Sequence, residues 1–173
     1  RLTDPPAILA DLQTQMSGDF PVLSESSKKY EIRYVPAQLE STLSPAFYLT
    51  APLDDPTRNV IYINNGSTGA DDELYPSLAH EGFPGHLYQT VYSSLVCDTQ
   101  TLPIRKLFSY GGYVEGWAYY TERISYEYAA QVLAEAEGSL GSSYPAALLC
   151  TLLAQQRDLQ INLFCLLDLS LHY

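Results

Sequence analysis

Two histidines and a glutamate lie close together in the stretch LAHEGFPGHLYQ, residues 78–89. His80 and His86 are two of the three histidines in the 173-residue chain, and Glu81 directly follows the first. Imidazole nitrogens bind divalent metals such as zinc, and a neighbouring carboxylate can move protons as a general base. The stretch therefore indicates either a catalytic metal site or a loop that happens to contain histidines.

The six-residue spacing of the histidines is unsuited to a regular helix. Positions six apart differ in direction by about 120° and by ~9 Å along the axis, whereas the zinc-binding pattern H-E-x-x-H places its histidines four apart on one face. Pro84 lacks the N–H that would bond to the carbonyl of His80, and Gly82 and Gly85 weaken the same turn. We expect the helix to break here and to turn His86 back towards His80.

A catalytic zinc ion requires a third protein ligand and one open position. The stretch GGYVEGWAYYTERISYE, residues 111–127, contains Glu115 and Glu122, which are seven residues apart. On a helix these two side chains point within about 20° of each other, with the small Ala118 between them. Either carboxylate could complete a site with the two histidines.

The elements that must position these residues follow from periodicity and from turn residues. A helix is predicted over 5–17 with Asp4 as its N-cap, and a long one from about 113 to 137. The other predicted elements are strands at 29–36, 46–50 and 59–64, a helical region at 73–96 interrupted at GFPG, a connector at 98–103, and a helix from Ser142, Ser143 and Pro145 to the chain end.

This order of elements predicts an α+β fold that is predominantly helical, with a small antiparallel sheet followed by long helices. We expect one domain over 1–173, made of an N-terminal helix and linker (1–28), a strand region (29–64) and a helical metal-site region (72–173). The chain begins at Arg1 and ends after an apolar, helical stretch. These features indicate a part of a longer protein, so we expect the missing parts to be partners of this segment.

Composition excludes several classes of partner. The net charge is −11 and lysines and arginines form no cluster, which argues against nucleic acid and anionic membranes. No apolar run of 18 residues is present to insert into a membrane. Three cysteines, without C-x-x-C spacing, indicate neither a disulfide framework nor a thiolate zinc site, and we expect Cys97, Cys150 and Cys165 to be buried.

Two motifs resemble those of the DUF885 family, bacterial proteins that look like zinc-dependent peptidases of the gluzincin kind. The family pattern H-E-x-x-P-G-H is matched by His80, Glu81, Pro84, Gly85 and His86. The second pattern, E-G-W-A-x-Y-x-E, is matched by Glu115, Gly116, Trp117, Ala118, Tyr120 and Glu122. The resemblance extends from about residue 29 to 173, and family members are several times longer than this chain.

The resemblance implies a zinc-dependent hydrolase with a gluzincin-like site for one Zn2+ ion. His80, His86 and Glu115 would bind the metal, and Glu81 would act as general base towards the metal-bound water. Glu122 would hold a ligand histidine in the correct tautomer. The expected substrate is a peptide or another small amide.

The oxyanion formed during hydrolysis needs a donor besides the metal. The ending DLSLHY is similar to a D-x-x-x-H segment of the family, which makes His172 the first candidate. Tyr113, Tyr119 and Tyr120 are the others. An extended peptide could lie along the edge of a strand, either AFYLT or NVIYIN.

Two alternatives remain open from the sequence. The same zinc chemistry would serve an amidase or esterase that acts on a non-peptide substrate. The chain could also be a non-catalytic helical binding module in which the motif survives as structure. A structural zinc site has no need of a carboxylate beside an open coordination position, so Glu81 favours an enzyme.

Overall fold

A computed structural model describes residues 3–52, 55, 57–67, 71–97, 108, 110–137 and 146–172 of the chain. These residues form five α-helices, three strands and one 3-10 turn, Met16–Gly18. In chain order the elements are α1 (Pro5–Gln15), β1 (Glu31–Tyr34), β2 (Ala46–Leu49), β3 (Val60–Ile63), α2 (Asp71–Glu81), α3 (His86–Cys97), α4 (Gly111–Glu137) and α5 (Ala146–His172). The predicted class, α+β and predominantly helical, is confirmed.

The first helix begins where its sequence predicts and ends two residues before the predicted boundary, where the 3-10 turn follows. Asp4 is the N-cap, and its carboxylate accepts a hydrogen bond from the backbone N–H of Ala7 at 3.1 Å. Prolines occupy the first helical positions, where no intrahelical N–H bond is needed. The buried side of α1 consists of Ile8, Leu9 and Leu12, and the helix packs against α2.

The three strands form one small sheet in the order β1-β3-β2. β2 pairs with β3 in the antiparallel direction, as expected, but β1 pairs with β3 in parallel, so the prediction of an antiparallel sheet is wrong for that pair. The long connections between these strands allow either direction. β3 is central, and Val60, Ile61 and Ile63 are buried in it. The predicted strand NVIYIN contains β3, which is central and has no open edge along which a peptide could lie. Of the two candidate edges, this leaves β2, which contacts α2.

The predicted break at GFPG is present and separates α2 from α3. Helix α2 ends at Glu81 and α3 begins at His86, and the peptide bond between Phe83 and Pro84 is cis. Gly85 lies so close to the preceding turn that a Cβ atom there would collide with the carbonyl oxygens of Ala79 and His80. Only glycine allows this approach, because it has no side chain. We call α2, the break and α3 together the elbow.

Helix α4 is regular over its 27 residues and starts two residues before the predicted boundary. Within its N-terminal half Ala118, Thr121, Glu122 and Ser125 are buried, so one face of the helix is covered. The predicted connector and the residues expected to start α5 lie outside the described part of the chain.

Contacts divide the chain into two compact units, 2–125 and 126–173. The first contains the sheet, α1, the elbow and the N-terminal half of α4, and the second contains the rest of α4 and α5. In α5 Cys150 is buried as expected, but the expected burial of Cys165 is wrong. No described residue covers this part of α5, where Phe164 and Leu166 are exposed as well. The side chain of Cys97 lies outside the described residues. No helix in the described ranges has the length and apolar character needed to cross a membrane.

Candidate metal centre

The break in the elbow brings the two histidines together. His80 lies in the last turn of α2 and His86 is the first residue of α3. Their ring centroids are 4.8 Å apart and the ring planes are nearly perpendicular, at 87°. This geometry requires the break, because a continuous helix would separate the two side chains by about 120° and ~9 Å.

Glu115 of α4 completes a group of three potential ligands. Its Oε2 atom lies 3.6 Å from Nε2 of His80 and 3.6 Å from Nε2 of His86. The three ligand atoms all lie within 4.8 Å of one another. Ligands at about 2.1 Å from a tetrahedral zinc ion are ~3.4 Å apart, so the spacing and the donor set of two imidazoles and one carboxylate fit zinc.

Glu122 lies about two helical turns beyond Glu115 on α4 and contacts the other side of the His80 ring. Its Oε2 accepts a hydrogen bond from Nδ1 of His80 at 3.0 Å, and the residue is only 6% exposed. A proton held on Nδ1 leaves Nε2 with its lone pair directed at Glu115. The same helix therefore places one acid beside both histidines and a second against the opposite nitrogen of His80.

Glu81 is held beside the site by the sheet. Its Oε2 accepts a hydrogen bond from the backbone N–H of Tyr48 in β2, at 2.8 Å. The other carboxylate oxygen, Oε1, lies 4.0 Å from Nε2 of His80. One oxygen is thus anchored to the edge strand while the other faces the histidine pair.

The titration behaviour of these residues reflects burial and mutual charge. Burial lowers the pKa of His80, but the hydrogen bond to Glu122 and the charges of Glu81, Glu122 and Glu115 outweigh it, so the pKa is raised. Burial lowers the pKa of His86, and the neighbouring His80 lowers it further. Burial raises the pKa of the Glu81 carboxyl, although the hydrogen bond from Tyr48 opposes this. Three carboxylates around two imidazoles favour a cation at the centre of the group.

A family model described as "Bacterial protein of unknown function (DUF885)" matches residues 2–143. The chain belongs to this family. The resemblance inferred from the two motifs is confirmed, and the matched range includes the elbow and α4. Comparison with curated proteins gives no match.

A solved structure has a fold similar to that of this DUF885 chain. It is described as "the putative lipoprotein from Colwellia psychrerythraea", and it aligns with 89% of this chain at 25% sequence identity and a TM-score of 0.61. The alignment covers 24% of that protein. The DUF885 chain therefore spans about a quarter of the length of its structural relative.

The three tyrosines predicted as oxyanion donors lie on different faces of α4 in the DUF885 chain. Tyr119 shares the face of α4 that bears Glu115, about 40° away around the helix axis. Tyr120 is 54% exposed and lies about 140° from Glu115, with its ring against Trp117 at 6.2 Å, and Tyr113 is similarly exposed. By helix geometry, Tyr119 is the tyrosine on the metal-centre face, and Tyr113 and Tyr120 are on the opposite one.

His172 belongs to the second unit. It lies at the end of α5, is exposed, and its Nδ1–H donates to the carbonyl oxygen of Asp168 at 2.9 Å. This local hydrogen bond stabilises the end of the helix. The role of His172 as an oxyanion donor stays a prediction.

Two contributions to the centre were missed at the sequence level. The N–H of Tyr48 has no sequence signal, because every residue except proline carries one. Trp117 was recognised only as part of a motif, yet its Nε1–H donates to the carbonyl oxygen of Pro84 at 2.9 Å and its ring stacks on Tyr88. Trp117 therefore ties α4 directly to the break in the elbow.

Proposed function

We propose that this DUF885 chain carries the zinc site of a hydrolase that cleaves peptide bonds. The observation that carries the proposal is the position of Glu115, whose carboxylate oxygen is equidistant from Nε2 of His80 and of His86, at 3.6 Å. The carboxylate of Glu81 lies directly beside this group. A purely structural zinc site would be closed by a fourth protein ligand and would gain nothing from such a base.

The chemistry expected of the residues follows from their positions. Zinc bound by these three ligands would supply an activated water and would polarise the scissile carbonyl. Glu81 accepts the proton of the attacking water on Oε1 and later delivers it to the leaving amine. A carboxylate held within reach of the attacking water can carry the proton in this way.

The edge strand β2 gives the proposed substrate a place to lie. β3 covers one side of β2, and Tyr48 directs its backbone N–H away from β3 to Glu81. An extended peptide would pair with other main-chain groups of this edge, because the N–H of Tyr48 is already bonded to Glu81. The anchor on Glu81 would then fix the distance between the general base and a peptide aligned along β2.

Metal analysis and peptide hydrolysis test the proposal together. Wild-type protein should bind one zinc ion per chain, and His86→Ala should lose it. His172→Ala is a matched control, because His172 is an exposed histidine bound to its own helix, and it should retain zinc. Equal zinc content in wild type and His86→Ala would refute the ligand assignment.

Glu81→Gln separates metal binding from chemistry. This variant should keep its zinc and lose roughly 10²–10⁴-fold in turnover, because the proton acceptor is gone. A screen of mixed peptides beside simple esters and non-peptide amides identifies the bond cleaved. Zinc binding without hydrolysis of any of these compounds by the full-length protein would favour the non-catalytic binding module.

A further inference from the structure

The carboxylate of Glu81 lies close enough to the potential ligands to become a fourth one. Its Oε1 atom is 4.0 Å from Nε2 of His80, whereas Oε2 of Glu115 is 3.6 Å from the same nitrogen. The group of potential ligands nevertheless consists of His80, His86 and Glu115 and does not include Glu81. A fourth protein ligand would close a zinc site, and closed zinc sites are structural. A hydrolase therefore needs a restraint on Glu81.

The backbone N–H of Tyr48 provides this restraint, because the sheet does not use it. Asn64 donates its N–H to the carbonyl oxygen of Pro45 at 2.9 Å, so these two residues form a hydrogen-bonded pair between the strands. Such pairs alternate along an antiparallel ladder, and Tyr48 lies at a position whose N–H points away from β3. There it donates to Oε2 of Glu81 at 2.8 Å.

The position of Tyr48 is fixed independently of Glu81. Its phenolic O–H donates to Oδ1 of Asn59 at 2.7 Å. Asn59 is only 3% exposed, and its Nδ2 donates to the carbonyl oxygen of Lys29 at 3.3 Å. A donor held in this way cannot follow a moving carboxylate, so Glu81 must break the bond in order to reach the position of a ligand.

We propose that the backbone N–H of Tyr48 is a positioning group that keeps Glu81 from becoming a fourth metal ligand. The proposal rests on the proposed zinc hydrolase function. A carboxylate is attracted to a divalent cation beside it, and a charge-assisted hydrogen bond to Oε2 opposes that movement. The bond leaves Oε1 free to accept a proton and one coordination position open. The edge strand thus makes Glu81 a base and not a ligand.

Tyr48→Pro tests this role, because proline has no backbone N–H. Proline is tolerated in an edge strand where the N–H points out of the ladder. Tyr48→Ala is the matched control, since it also loses the ring and the bond to Asn59 but retains the N–H. The zinc affinity of both variants is measured by competition with a chelator. The proline variant should bind zinc about tenfold more tightly than the alanine variant, because Glu81 joins the ligands. Equal or weaker binding would overturn the proposal.

Repeating the comparison in Glu81→Gln protein shows whether the effect passes through Glu81. The neutral amide is a poor zinc ligand, so the tenfold difference between the proline and alanine variants should disappear in this background. A change that merely loosened the strand would act on zinc affinity equally in both backgrounds. A difference that persists in Glu81→Gln protein would therefore overturn the role of Tyr48.

A backbone ester keeps the test decisive if circular dichroism shows that the proline variant is unfolded. Replacing Tyr48 by its α-hydroxy acid analogue exchanges the N–H for an oxygen atom and retains the ring with its bond to Asn59. This protein should bind zinc about tenfold more tightly than wild type, for the same reason. An affinity equal to that of wild type, or lower, would overturn the proposal.

Zinc binding and peptide hydrolysis by the wild-type, full-length protein separate the two hypotheses. A wild-type protein that binds zinc and cleaves peptides, combined with equal zinc affinity in Tyr48→Pro and Tyr48→Ala, would overturn only the role of the Tyr48 N–H. A wild-type protein that binds no zinc would overturn the zinc hydrolase function and, with it, this role.

Discussion

The elbow and helix α4 position their functional side chains in opposite ways. His80 and His86 are six residues apart and meet because the helix between them is broken. Glu115 and Glu122 are seven residues apart and share a face because their helix is not broken. Two side chains whose spacing does not match the helical period can meet only if the helix is broken between them. Two side chains whose spacing matches the period share a face only if the helix is continuous.

This difference determines where each region can tolerate change. In the elbow Gly85 has no space for even a methyl group, because carbonyl oxygens of the preceding turn occupy it. In α4 a Cβ added at Gly116 would meet no described atom within 4 Å. The two glycines belong to the two matched motifs, yet only the first is required by the backbone path.

The largest effect is expected from Gly85→Ala. The new methyl group must push apart the carbonyl groups of Ala79 and His80, which should destabilise the metal-free protein by about 3 kcal/mol and separate the two histidines. Gly116→Ala should instead stabilise it by up to about 1 kcal/mol, because alanine favours the helix. Urea unfolding of both variants checks these values. Equal effects at the two positions would show that the close approach at Gly85 is not needed.

The two acids of α4 should differ in their effect on zinc. Glu115→Ala removes a proposed ligand and should weaken zinc binding by more than roughly 100-fold, whereas Glu122→Ala removes a partner of His80 and should weaken it by about 10–100-fold. Glu127→Ala, at an exposed position of the same helix, is the control and should have no effect. Competition with a chelator of known affinity measures all three. The reverse order for Glu115 and Glu122 would exchange their roles.

The smallest effect is expected where the two regions meet. Trp117→Phe keeps an aromatic ring against the elbow but removes the hydrogen bond to the carbonyl oxygen of Pro84, and it should reduce the free energy of unfolding by about 1 kcal/mol. Tyr120→Phe removes a hydroxyl on an exposed ring of the same helix and should change it by less than about 0.5 kcal/mol. Denaturant titration of both variants checks the difference. A wild-type stability in Trp117→Phe would mean that the bond to Pro84 does not hold α4 to the elbow.

Some features of the fold were predictable because their signals are local. The cap at Asp4, the break before His86 and the long helix α4 each follow from residues within one or two turns. The parallel pairing of β1 and β3 was not predicted, since short strands have similar sequences in either direction. A local signal did exist in β3, because its nearly continuous apolar run is typical of a central strand buried on both faces.

The candidate metal centre was also predictable only in part. The helical spacing left the choice between Glu115 and Glu122 open, and only the family resemblance favoured Glu115 until α4 was placed against the elbow. Its placement puts Glu115 near both histidines and Glu122 on the far side of one ring.

The sequence by itself determined that a helix must break between His80 and His86 and that two acids must share one face of α4. A missing N–H at Pro84 and a period of about 3.6 residues act within the chain, whatever surrounds it. Only the tertiary structure decided which acid meets both histidines and which backbone N–H holds Glu81. Those distances join residues 29 to 35 positions apart, so they depend on how the sheet and helices pack.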